Sequence, residues 1–313
     1  MAEMTKAERV GAALAGDEVD RVPASIWFHF TREHVARSPR TEADAHIEHL
    51  RRYDLDYLKV MNDNAYDMSA TLPVVETPGD WERLEPLTAD APGFAAQLET
   101  LRLLRTELGD LYMTSTIFGP YAQASRVCGR DILRHIAEDR EKVKAGIAVV
   151  TESLCVLARE TIRAGANGIY LACSGAARGE LSEADYRELI RPFDIEVMKA
   201  AAAGDFNVVH VHGAGCPFGV FADYPGDAVG WTATSNPPSL AEATDLTGMC
   251  LVGGWEQEGA VATGDLEGIR AETRAAIEAT GGRHLLLGPG CTIPENTPEA
   301  YIRAAIQSAR ELS

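Results

Sequence analysis

The sequence has no long apolar segment and few basic residues. No uninterrupted apolar run approaches the ~20 residues that a membrane span requires, and the N-terminal residues show no apolar segment with a cleavage site. Lys and Arg number 29 against 47 Asp and Glu, giving a net charge of −18 at pH 7. Such a chain repels phosphate backbones and anionic lipids. We therefore expect a cytoplasmic globular protein with neither a nucleic-acid nor a membrane partner.

Several motifs that would identify a chemistry are also absent. The sequence has no Walker A loop, no GxSxG nucleophile elbow and no GxGxxG after a strand. Its six cysteines include no CxxC pair, so a disulfide framework is not expected. In a cytosolic chain of this size, the thiols are expected to be buried or to belong to a metal or reactive site.

Short apolar runs that favour β-strands alternate with helical patterns along the 313 residues. The predicted strands are Ser25–Phe28, Tyr57–Met61, Leu111–Phe118, Gly168–Ala172, Asn207–Val211, Ala228–Trp231, Cys250–Gly254 and His284–Gly288. Several are continuous apolar runs, which suit a parallel sheet buried on both faces. Eight strand–helix units predict a (β/α)8 TIM barrel in a single domain, 1–313, with residues 1–20 as a preceding helix. The alternative is a doubly wound open sheet.

The intervening segments have apolar spacing typical of helices. The predicted helical segments are Thr41–Arg52, Gly93–Leu108, Asp131–Ala164 as two helices, Ser182–Ala203, Ser239–Thr247, Leu266–Thr280 and Thr297–Leu312.

Metal-type ligands occur at the predicted strand ends, where a TIM barrel places its active site. His210 and His212 are two residues apart in a strand, so both imidazoles can face one site. A catalytic zinc usually has three protein ligands and one open position. We expect Cys291, which follows two glycines at another strand end, to be the third ligand, with Cys216 as the alternative.

Other polar and aromatic residues at the strand ends are candidates for catalysis or substrate binding. Asp63 and Glu256 are candidate acid–base groups. The candidate pocket residues are His29, Asn62, Asn64, Arg126, Cys173, Trp231 and Trp255.

Motifs along nearly the whole chain resemble the uroporphyrinogen decarboxylase superfamily. They are Asp20-Arg21-Val22-Pro23, Gly119-Pro120-Tyr121, the block from Ala166 to Phe193, and Gly288-Pro289-Gly290-Cys291 with Thr297-Pro298. The resemblance implies a TIM barrel and a homodimer. True decarboxylases work without a cofactor and carry an aspartate that Asp63 matches. They also carry a tyrosine where this chain has Arg126 and a histidine where it has Pro289.

A second branch of the superfamily comprises zinc-dependent methyltransferases that move a methyl group from a corrinoid protein to a thiol. The resemblance implies zinc ligands at His210 and Cys291, with His212 in place of the branch's middle cysteine. The first hypothesis is therefore a zinc-dependent methyltransferase that acts on a small thiol or similar nucleophile. The alternatives are a metal-independent decarboxylase or lyase in which Asp63 is central, and a non-catalytic barrel that binds a corrinoid or small ligand.

Overall fold

Seven parallel strands form one curled sheet in the computed structural model, which describes residues 3–30, 38–64 and 74–313. The strands are β1 (Leu58–Val60), β2 (Met113–Phe118), β3 (Gly168–Cys173), β4 (Val208–Val211), β5 (Ala228–Gly230), β6 (Cys250–Trp255) and β7 (Leu285–Pro289). Each strand pairs in parallel with the next one along the chain. This is a TIM-barrel-like α/β fold, as the strand–helix alternation predicts.

The count of eight strands is not confirmed, because the first predicted strand is not a regular strand within the described residues. Just before the segment Ser25–Phe28, a single parallel bridge joins Ala24 to Leu287. The Ser25 amide donates to the Leu287 carbonyl (3.0 Å) and the Asp56 amide donates to the Ala24 carbonyl (3.0 Å). This segment therefore lies between β7 and the residues that precede β1.

Most of the helices lie close to the predicted segments, but Pro120–Val127 and Ala260–Thr263 were not predicted. The helices are α1 (Lys6–Ala15), α2 (Pro39–Tyr53), α3 (Pro92–Leu108), α4 (Pro120–Val127), α5 (Ile132–Glu138), α6 (Arg140–Arg163), α7 (Glu183–Leu189), α8 (Arg191–Ala200), α9 (Leu240–Ala243), α10 (Ala260–Thr263), α11 (Leu266–Thr280) and α12 (Glu299–Leu312). The segment Asp131–Ala164 forms two helices, as predicted. The segment Ser182–Ala203, predicted as one helix, breaks at Ile190, and Pro192 lies in the first turn of a new helix that begins at Arg191. None of the described helices is long and apolar enough to span a membrane.

The buried apolar side chains form two groups on opposite faces of the sheet. One group, with Tyr170, Val208 and Leu286, fills the concave interior. A larger group packs between the sheet and the surrounding helices. Because successive strand residues face opposite sides, the side chains of each strand point alternately to the interior and to the helices.

Helix α1 covers one end of the interior and is fixed there by buried ion pairs. Val10 and Ala13 belong to the interior apolar group. The Arg9 guanidinium lies 2.6 Å from an Asp20 oxygen and 2.9 Å from an Asp56 oxygen, and the Arg9 side chain is only 4% exposed. Arg21 completes the cluster with a 2.6 Å contact to Asp56.

Cys173 is the last residue of β3, and its side chain faces the helices, where it is fully buried beside Asp194 of α8. The Asp194 carboxylate accepts hydrogen bonds from the hydroxyls of Tyr186 (2.5 Å) and Tyr224 (3.1 Å). Burial raises the pKa of Asp194 to about 7, although these hydroxyls and the Cys173 thiol act in the opposite direction. The structure thus places Cys173 between the sheet and the helices, away from the interior.

Replacing Arg9 tests the ion-pair cluster under α1. We expect Arg9→Met to lower the free energy of unfolding by about 3 kcal/mol, because Asp20 keeps a buried charge without its partner. The control is Arg102→Met, whose half-exposed pair with Glu99 should contribute less than ~1 kcal/mol. Urea unfolding measures both, and equal losses in the two variants would contradict the role of the buried cluster.

The raised pKa of Asp194 predicts a pH-dependent stability. The folded state retains a proton that the unfolded state releases near the ordinary aspartate pKa of about 3.9. Its stabilising contribution is therefore complete below that pH, is lost progressively as pH rises, and levels off above about pH 7. We expect the difference in unfolding free energy between wild type and Asp194→Asn to fall by up to ~1.4 kcal/mol per unit between pH 5 and 7.

The matched control for Asp194 is Asp223→Asn. Asp223 is exposed, and its hydrogen bond with Arg191 lowers the pKa of its carboxyl. Asp223 is ionised in both states above pH 5, so its variant should show no pH-dependent difference from wild type in that window. A flat difference for Asp194→Asn as well would refute the proton on Asp194.

Candidate metal centre

Two histidines of β4 and its end meet a cysteine that follows β7. His210 pairs in register with Gly230 of β5, and its Nδ1 donates to the Gly230 carbonyl (3.2 Å). This hydrogen bond leaves Nε2 of His210 with a free lone pair, an arrangement typical of histidines that bind metals. The strand register therefore both places His210 in the interior and orients its ring.

His212 and Cys291 complete the cluster. The His212 amide donates to the Cys173 carbonyl (2.9 Å), which extends the β3–β4 pairing by one residue. The Gly290 amide donates to the Trp255 carbonyl (2.9 Å) and so fixes the chain next to Cys291. The Cys291 Sγ lies 3.8 Å from Nδ1 of His212.

The donor set fits a zinc ion. Ligand atoms of His210, His212 and Cys291 all lie within 4.8 Å of one another. Bond lengths of about 2.0–2.1 Å to nitrogen and about 2.3 Å to sulfur require separations of roughly 3.5 Å around a tetrahedral ion. His210 is buried, Cys291 half-buried and His212 exposed, so the cluster has one side towards solvent. Within the described ranges, Cys216 is not part of the cluster, because its Sγ faces the carbonyl oxygens of His212 (3.3 Å) and Gly213 (3.5 Å).

The charges in the cluster favour a thiolate. Burial alone would raise the pKa of Cys291, but hydrogen bonds with His210 and His212 lower it to about 4. The same contact with Cys291 raises the pKa of His212, whereas burial lowers that of His210. A deprotonated sulfur and a neutral buried imidazole are the forms in which these side chains bind metals.

Asp63 and His29 form a second polar pair. Nδ1 of His29 lies 2.6 Å from a carboxylate oxygen of Asp63, and both side chains are partly exposed. Asn62 is buried and donates to the Thr116 carbonyl (3.3 Å). Asn64 turns towards the helices, where it donates to Gln97 (3.0 Å). The asparagines that flank Asp63 thus hold its loop in place.

The side chains of the two tryptophans at the strand ends lie on the helix-facing side of the sheet. Trp231 packs on Phe218 (4.6 Å between ring centroids), and Nε1 of Trp255 donates to Thr273 of α11 (2.9 Å). Both belong to the apolar group between sheet and helices. The structure does not bring them to the histidine–cysteine cluster, because the alternation of strand residues turns them outward.

Glu256 and Arg126 lie in other surroundings. Glu256 is held by the Thr234 hydroxyl (2.6 Å), and the guanidinium of Arg126 lies 4.3 Å from the centroid of the Phe118 ring. Neither contact includes a member of the histidine–cysteine cluster.

Sequence reasoning missed Lys59, which lies inside the barrel and is only 5% exposed. Its Nζ lies 4.4 Å from the centroid of the Tyr170 ring, and Tyr170 in turn packs on His210 (5.1 Å between ring centroids). The available signal was a lysine in the middle of an otherwise apolar strand, Leu58-Lys59-Val60.

Comparison with known proteins agrees with this architecture. A uroporphyrinogen decarboxylase from Rhodococcus erythropolis is 27% identical over 310 residues, covering 88% of this chain and 83% of its own. A methyltransferase from Methanosarcina mazei superposes with a TM-score of 0.83, at 20% identity and 99% coverage of both chains.

A more distant structure has the same fold. A candidate vitamin-B12-independent methionine synthase from Listeria monocytogenes gives a TM-score of 0.62 at 15% identity, covering 88% of this chain and 87% of that one. The profile of the uroporphyrinogen decarboxylase (URO-D) family matches residues 5–312. The chain therefore belongs to the uroporphyrinogen decarboxylase family.

Proposed function

We propose that this protein is a zinc-dependent methyltransferase of the URO-D superfamily. It activates a thiol, or a similar small nucleophile, and transfers to it a methyl group from a separate corrinoid protein. The observation that carries the proposal is the cluster of His210, His212 and Cys291. The similarity in fold to a methyltransferase supports it. We further propose a single cytoplasmic domain that forms a homodimer.

The residues of the cluster have separate roles in this proposal. His210, His212 and Cys291 are the residues that would hold a zinc ion. The ion would supply one effect, a lower pKa of a thiol bound next to it, so that the thiol could react as a thiolate. The substrate sulfur attacks the methyl carbon, the bond between that carbon and the donor breaks, and its electron pair stays on the donor.

Asp63, paired with His29, provides an acid–base group for the proton that the thiol releases. His29 uses Nδ1 for Asp63, so its Nε2 is the atom available to a proton. Glu256 is proposed to assist in positioning the substrate. Because His212 stands in place of a second cysteine, the site carries one negative charge fewer, which favours binding of an anionic sulfur.

A second candidate is a metal-independent decarboxylase or lyase. The observations in its favour are the relative named uroporphyrinogen decarboxylase and the position of Asp63, which matches the family's aspartate. The charge of −18 opposes a substrate with as many carboxylates as uroporphyrinogen. Release of CO2 from uroporphyrinogen by the metal-free protein, lost in Asp63→Asn, would establish this candidate in place of the first.

Metal content distinguishes the two candidates. We expect about one zinc per chain in the wild type by elemental analysis, and near-complete loss in His212→Ala and in Cys291→Ser, because each removes one of only three protein ligands. Methyl transfer from methylcobalamin to 3-mercaptopropionate should fall in parallel, by at least 100-fold.

The control variant for metal content is Cys216→Ser, which should keep its zinc because Cys216 Sγ faces backbone carbonyls. Zinc that persists in Cys291→Ser but disappears in Cys216→Ser would assign the third ligand to Cys216. Full methyl-transfer activity in a zinc-free wild type would contradict the proposal as a whole.

A further inference from the structure

Lys59 is a buried cation inside the barrel. Its side chain is 95% shielded from solvent, and its Nζ donates to the thioether sulfur of Met61 (3.2 Å). The ammonium lies 5.4 Å from the ring centroid of Trp27 and 4.4 Å from that of Tyr170. Among the residues that the structure describes, no carboxylate lies within salt-bridge distance of it.

These contacts compensate only partly for the burial of the charge. A thioether is a weak acceptor, and cation–π contacts contribute about 0.5–2 kcal/mol. Lysine is almost never fully buried unless it is paired, and the burial of an unpaired charge is costly. Lys59 therefore lacks the strong acceptor that would balance it.

Two other polar groups near Lys59 also lack partners in the described part of the chain. Nε1 of Trp27 and Oγ1 of Thr114 are buried without a hydrogen bond. Trp27 contacts the ammonium through its ring, and Thr114 is the register neighbour of Lys59 on β2. Three groups that can donate hydrogen bonds thus lie close together without an oxygen acceptor.

The ammonium and the candidate metal centre are joined by one aromatic ring. Tyr170 contacts Lys59 on one side (4.4 Å) and packs on His210 (5.1 Å between ring centroids). Burial lowers the pKa of Lys59 to about 8, whereas the charges of Cys291 and Asp63 favour its protonated form.

The Trp27 ring that contacts Lys59 packs against a glycine of β7. A Cβ at Gly288 would lie 2.7 Å from the indole of Trp27, so only glycine lets this ring pack directly against the strand. The Trp27 ring in turn packs edge-on against Tyr170 (5.9 Å). The two rings that contact the ammonium are therefore fixed by packing.

We propose that Lys59 binds an oxyanion of the substrate, a carboxylate, so that the substrate is a small anionic thiol held at both ends. The substrate sulfur would bind at the histidine–cysteine cluster, and this part of the inference rests on the function proposed above. The carboxylate end goes to Lys59, with Trp27 and Thr114 as additional donors. The carboxylate subsite does not depend on the metal, because the carboxylated substrate of the second candidate function would use it equally.

The test compares thiols of similar size and different charge on the protein as purified. Isothermal titration should show that 3-mercaptopropionate binds the wild type at least tenfold more tightly than uncharged 3-mercapto-1-propanol, since hydrogen bonds between charged groups are about twice as strong as those between neutral ones. Lys59→Met should abolish the preference, and Lys59→Arg should retain part of it. The control is Lys142→Met, whose exposed lysine pairs with Glu82 and whose loss should leave the preference unchanged.

Two outcomes would overturn the inference. One is equal binding of the two thiols by the wild type, a result that does not depend on whether any variant folds. The other is a charge preference that survives in a folded Lys59→Met.

A third ligand, propionate, separates this inference from the proposed function. If the protein holds no zinc but binds propionate, and Lys59→Met does not, the subsite stands and the methyltransferase proposal fails. If zinc is present and both thiols bind equally well, the methyltransferase proposal stands and the subsite fails.

Discussion

The two-residue period of the β-strand is the constraint on which the rest of this structure depends. In a sheet buried on both faces, it sends every second side chain to the interior and the others to the helices. His210 and Lys59 face the interior under this rule, whereas Cys173 and Trp231 face the helices. A shift of one residue in β4 would turn His210 towards the helices and dismantle the candidate metal centre.

The sequence predicts most of the framework for the same reason. Apolar runs such as Gly168–Cys173 and Leu285–Pro289 are long and unbroken enough to identify the strands, and His210 with His212 is visible as a same-face pair. The break at Ile190 was missed because the helical pattern continues through Pro192. The inward or outward orientation of Trp255 could not be predicted, because it depends on the strand register and on its hydrogen bond to Thr273.

Lys59 shows another limit of sequence reasoning. From the sequence alone, a single lysine in an apolar strand is interpreted as an exposed residue at the edge of the strand or as a position without a role. Its surroundings become visible only in the curled sheet, where Trp27 and Tyr170 lie around it. The protein then combines a strongly negative net charge with a buried lysine that has no carboxylate partner among the described residues. This contrast favours small anions that can leave solvent over large ones that must stay in it.

Cys173 connects the two layers of the molecule. Its carbonyl accepts the amide hydrogen of His212, and its thiol lies against Asp194 in the outer layer. A substitution in α8 that moved Cys173 would therefore act on the residue whose carbonyl holds the His212 amide. The helices outside the sheet and the candidate metal centre inside it thus share one residue, and α8 is a place where the surroundings of His212 can be altered without touching the barrel interior.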